Sequence, residues 1–283
     1  MSNDTINPPR LARPLRDLAA WVTHFRTAPI AVLDETAAII AELATNEDAV
    51  DAHLLSETVA ADPLMTLKLL AHVGTKSRRD TDIETVVGAL VLLGIGPFFR
   101  IFGELPTISQ VLNGAADATE VQGGFRAVLD RSNRAAKFAI AFAAHRMDPD
   151  AAVIHEAALL HGFTELLLWC HAPLLALNIA RLQRVDSTVR SAAAQHSVLG
   201  IALADLQQAL MKVWRLPALL IRLDDKQHAD SPQVRNVTLA VRLARHTVHG
   251  WDNPALPDDL ADIAELLQLS TTSTLKLLQE IDA

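Results

Sequence analysis

With 283 residues, half of them apolar, the chain is long enough to bury one large core or two modest ones. A formal net charge of -8 gives no general attraction to nucleic acid or to an anionic membrane surface, so neither is expected as a partner. The one cysteine, Cys170, excludes an intramolecular disulfide or a multi-cysteine zinc site and suits a reducing cytosol.

The segment from Met1 to Pro9 is polar and lacks the charged-then-apolar order of a signal peptide. The apolar stretch 86–102 is interrupted by Gly94, Gly96, Pro97 and Arg100, too often for a span of the bilayer. A cytoplasmic protein is expected. Tyrosine is absent and apolar residues recur at spacings of three and four, so the pattern predicts an all-α chain.

In chain order, Leu15, Leu18, Val22 and Phe25 share one face of a first amphipathic helix predicted to begin near Pro14. That face packs on the domain or, alternatively, contacts a protein partner. Asp62-Pro63 supplies an N-cap and a first-turn proline for the next clear helix. The basic run Lys76-Ser77-Arg78-Arg79 follows in a polar connection, where solvated charge is the plain reading and a phosphate-bearing partner or ligand the sharper one. Thr81 to Glu84 has capping-box spacing ahead of a helix that stops at Gly94, and a further helix is predicted from Pro97. The looser stretch from Asn113-Gly114 to Gly123-Gly124 marks a boundary. It divides the chain into a lead-in and first helix (1–28), an N-terminal half (29–115) and a second half (116–283).

In the second half, Asp148-Pro149 opens a helix ending at His161, Asp186 caps the next, and Leu216-Pro217 breaks the chain after Trp214. Ser231-Pro232 opens a helix bearing Val234, Val237, Val241 and Val248 that Asn253-Pro254 closes, and two short amphipathic helices carrying Ile263 and Leu278 close the chain. No repeat of fixed period is visible.

Chemical motifs are few. There is no phosphate-binding glycine loop and no nucleophile elbow. His246 and His249, three apart on a predicted helix, have ligand spacing without a neighbouring carboxylate, and Cys170 reads as a small buried residue. The informative position is His161, which is followed by Gly162 where a metal-dependent hydrolase would want a carboxylate.

The ordered set Asp62-Pro63-Leu64, the 86–94 helix with Ala89, Leu92, Leu93 and Gly94, the segment 157–166, Val198-Leu199-Gly200 and Trp214-Arg215-Leu216-Pro217 resembles the HDOD domain. The resemblance implies an all-helical bundle of two halves. It also implies a bacterial signalling or regulatory module, related to the HD metal-dependent phosphohydrolases but without demonstrated catalysis. Catalytic HD proteins hold a divalent metal with an early histidine, a His-Asp pair and a late aspartate. Here the pair's histidine matches His161 and its aspartate falls on Gly162. The early histidine falls near Arg131-Ser132 and the late aspartate near Ala244-Arg245. Gln195, Leu203 and the single His228 stand where the HDOD pattern commonly has a glutamate, a histidine and a His-His pair.

Arginine stays protonated and cannot serve as a ligand, so no metal, no cofactor and no catalytic residue are expected. If Arg131, His161 and Arg245 converge, the former metal pocket is cationic and suits an anion such as a nucleotide phosphate. The expected function is regulation through protein partners. The alternatives are a divergent phosphohydrolase acting on a nucleotide or cyclic dinucleotide, and a nucleotide sensor without hydrolysis.

Overall fold

The computed structural model describes residues 10–76, 83–186, 188–223 and 225–282. Its helices are α1 (Leu18–Thr27), α2 (Asp34–Leu43), α3 (Ala52–Ala60), α4 (Pro63–Lys76), α5 (Val86–Leu93), α6 (Ile95–Phe102) and α7 (Ile108–Leu112). They continue as α8 (Ala118–His145), α9 (Ala151–Leu160), α10 (Phe163–His171), α11 (Pro173–Val185), α12 (Ser191–Leu199) and α13 (Leu203–Trp214). The chain finishes with α14 (Ala218–Arg222), α15 (Pro232–His246), α16 (Leu256–Leu267) and α17 (Thr271–Asp282). The described residues form no strand, only an isolated bridge between Val32 and Thr107, so the fold is all-α as the periodicity predicts.

Local chemistry explains the helix ends. The fully buried Asp62 carboxylate accepts from the Leu64 and Met65 amides at 2.8 and 3.2 Å, which caps α4, and from Leu33 N at 2.8 Å, which ties that cap to the entry of α2. Ser231 Oγ accepts from Val234 N at the start of α15. Gly94 ends α5 with φ +83°, a conformation other residues rarely adopt, and α6 begins directly at Ile95 rather than at Pro97.

Several boundaries differ from the sequence expectation. The cap of α5 is Thr85, whose side chain accepts from Gly88 N; Thr81 and Asp82 of the expected capping box lie outside the described residues. Asp186 shapes a turn by accepting from both the amide and the hydroxyl of Thr188, and α12 starts only at Ser191. Gly123 and Gly124 lie within α8 and mark no boundary, because a glycine costs a long, well-packed helix only about 1 kcal/mol.

The first helix begins at Leu18 behind the Asp17 cap, not at Pro14, so Leu15 precedes it. Phe25 and Trp21 are buried, and Leu15, Leu18 and Val22 pack partly against the same core beside α13. The face considered for partner contact is therefore turned inward, because a stripe containing Trp21 and Phe25 gains more by burial than by exposure.

The core does not divide at residue 115. One cluster joins α1–α7 with α10–α13; the second joins α9, α15, α16 and α17. The 28-residue α8 serves both, giving Val121, Phe125 and Val128 to the first and Phe138, Ala139 and Phe142 to the second. Ala151–His171 has the length and the apolar character of a membrane span, but 61% of an 18-residue window of it is buried in the interior, as in the core helices of soluble proteins. The Val86–Phe102 stretch breaks at Gly94 as expected.

Candidate functional site

His161 and Gly162 form the joint between α9 and α10. His161 is the residue following α9 and Gly162 the one preceding α10, and α8 packs against both helices. A Cβ at Gly162 would lie 3.0 Å from Ser132 Oγ and 3.7 Å from Val128 Cγ1 of α8. The two positions that the resemblance assigns to the pair's aspartate and the early histidine are therefore neighbours in space, now held by a hydrogen and a small buried hydroxyl.

Around this joint lies a cavity of about 500 Å³ walled by α8, α10, α11, α12, α13 and α15. Arg131, His161 and Arg245, separate in the sequence, all line it. Arg131 pairs with Glu165, one turn beyond His161 on α10, and the other oxygen of Glu165 accepts from Gln195 Nε2 of α12 at 3.4 Å. Arg245 stands exposed at the rim with no ion-pair partner among the described residues. Leu168, Trp169 and Ile179 supply an apolar part of the wall. The Trp169 indole lies against the α8 backbone at Gly124, where any Cβ would overlap its ring carbons.

The donor set does not fit a divalent metal. The cavity offers one imidazole and one carboxylate, and that carboxylate already neutralises a guanidinium. Among the described residues no group of three or more histidine, cysteine, aspartate or glutamate side chains could hold an ion. Gln195 and Leu203 line the cavity without replacing a ligand, and His228 lies elsewhere, 2.9 Å from Asp225.

The remaining expected residues lie apart from the cavity. Lys76 ends α4, while Arg78 and Arg79 lie outside the described residues. His246 is the last residue of α15 and His249 falls beyond it, so the two share no helical face. His246 Nδ1 instead sits 2.6 Å from Asp259 of α16, a carboxylate brought in by packing. Cys170 is buried, and burial pushes its thiol well above its ordinary value, which leaves it protonated and inert.

Sequence reasoning missed Glu165 and Trp169. The only signal for Glu165 was its position four residues after His161; nothing local marked Trp169 as a wall. Exposed apolar residues on α5, Val87, Val91 and Leu92, were missed as well.

A family model described as the HDOD domain matches residues 30–229. Among solved structures, the MmoQ response regulator of Methylococcus capsulatus superposes with a TM-score of 0.66 at 19% identity, covering 89% of this chain and 98% of that one. A virulence factor of Campylobacter jejuni superposes with a TM-score of 0.62 at 17% identity, covering 94% and 97% of the respective chains. At such identities the likeness is one of fold. No curated protein matches the chain.

Proposed function

The chain belongs to the HDOD domain family, and from that premise we propose that it is a regulatory module of signal transduction that acts by binding and not by turnover. The observation that supports this reading is the composition of the cavity: it is lined by two guanidinium groups, the Ser132 hydroxyl and Gly162, at or near the places where the resemblance puts the ligands of a catalytic HD relative. An open cavity kept without its ligand set can recognise a molecule but cannot activate a water through a bound ion. In this reading the cavity receives a small anionic molecule, a protein partner reads the result in the cytoplasm, and nucleic acid plays no part. The MmoQ relative is called a response regulator, which is in keeping with such a role. Fold alone assigns none of this; the side chains of the site carry the reading.

The test is metal analysis of the purified protein together with assays of phosphate mono- and diester hydrolysis in added magnesium, manganese and zinc. No stoichiometric metal and no hydrolysis above the blank are expected. Stoichiometric metal with turnover would overturn the reading in favour of a divergent phosphohydrolase.

A further inference from the structure

We propose that the cavity recognises a small organic anion, a carboxylate or phosphate carried on a compact apolar body, and that Glu165 is the site's built-in substitute for that anion. This rests on the binding reading above and gives it a ligand class and a control element.

The charge balance points to an anion. The chain as a whole is negative, at -8, yet the ionised side chains lining the cavity are two arginines and one glutamate. A concave site with such a lining concentrates anions against the field of the surrounding protein. Guanidinium groups match carboxylate and phosphate geometry, and Arg131 already holds a carboxylate, that of Glu165. The intramolecular pair thus displays the contact that an external anion would make.

The pair is also replaceable. Its side chains keep 26% and 33% of their exposure, and solvent that reaches an ion pair weakens it. An external anion gains more: besides Arg131 it has Arg245 and His161 on the same cavity wall, and its body lies against Leu168, Trp169 and Ile179, where burying apolar area is favourable. The cavity, at about 500 Å³, is of the size that accepts such a molecule.

Displacement has a structural consequence. The Glu165 carboxylate also accepts from Gln195, so its release removes a link between α10 and α12, two walls of the cavity. Glu165 therefore sets the affinity and couples occupancy to the position of α12.

The experiment is calorimetric titration of the full chain with benzoate and phenyl phosphate, with inorganic phosphate and phenol as controls for the charge and the body alone. One or both aromatic anions are expected to saturate the wild type, inorganic phosphate to bind more weakly and phenol not to bind. The tighter of the two aromatic anions assigns carboxylate or phosphate. Glu165→Gln should tighten binding about fivefold, the equivalent of the lost internal competitor. Arg131→Gln should abolish binding both alone and combined with Glu165→Gln, and thermal melts verify that each variant folds. The proposal is overturned if neither aromatic anion saturates the wild type or Glu165→Gln at millimolar concentration. It is equally overturned if Glu165→Gln binds no tighter than wild type, or if binding survives in the double variant. Because these titrations involve neither metal nor turnover, their outcome is separate from that of the hydrolysis test.

Discussion

Glu156 of α9 holds the first turn of α5: its two carboxylate oxygens lie 2.9 and 3.0 Å from the Val86 amide, seventy residues away in the chain. The side chain is buried, and burial pushes its pKa up to about 8 from the ordinary 4.5, with the Val86 N–H offsetting only part of the shift.

A pH dependence follows from that shift. Between pH 4.5 and about 8 the folded chain keeps a proton on Glu156 that the unfolded chain releases. Its contribution to stability is complete below the unfolded value and is lost as pH rises through the folded one, by at most about 1.4 kcal/mol per pH unit. Denaturant unfolding across that window should show wild-type stability falling relative to Glu156→Gln, which carries no titrating proton. Parallel curves for the two proteins would contradict the shifted pKa.

The two adjacent glycines of α8 should behave oppositely. Gly124→Ala drives a methyl group into the Trp169 ring and is expected to cost about 1–3 kcal/mol, with a change in tryptophan fluorescence. At Gly123 an added methyl group meets no atom within 4 Å, so Gly123→Ala should gain up to about 1 kcal/mol from helix propensity. Urea melts of both variants check the contrast.

At the C-terminal end, Asp259 is 2% exposed and faces both His246 and Arg242. Arg242 Nε lies 2.6 Å from Asp259 Oδ1, a close ion pair. Asp259→Ala leaves His246 without its carboxylate and Arg242 with Asp262 alone, and should cost about 3 kcal/mol. Asp262, whose side chain is 47% exposed, also pairs with Arg242, but its replacement by alanine should cost less than about 1 kcal/mol. Equal losses in the two variants would show that burial does not govern this cluster.

A carboxylate at Gly162, where the resemblance puts one, should not by itself create a metal site. Gly162→Asp places its Cβ 3.0 Å from Ser132 Oγ, which is tight, and adds a single carboxylate to a cavity that holds two arginines. A lower melting temperature without stoichiometric zinc or manganese is the expected outcome, read by thermal scan and metal analysis. Stoichiometric uptake by this variant would mean that the ligand set is more complete than its donors indicate.

What was legible in the sequence is local. Asp62-Pro63, Ser231-Pro232, Gly94 and the break after Trp214 act through groups only a few residues away, and the structure places helix ends at each. The positions of the site were legible only through resemblance: nothing near Arg131 or Arg245 in the chain points to the other, and neither points to Glu165. The inward face of α1 was visible as a stripe, but an apolar stripe alone does not say whether a core or a partner covers it.

The sequence by itself determined the all-helical class and the helix ends at Pro63, Gly94 and Pro232, because periodicity and capping are properties of short stretches of chain. Only the tertiary structure decided that the core divides along α8 rather than at residue 115. It alone decided that His246 meets Asp259, and that Arg131, His161 and Arg245 share a cavity with Glu165. These depend on which distant surfaces bury one another, and a buried or half-buried charge takes whatever counter-charge the packing brings within reach.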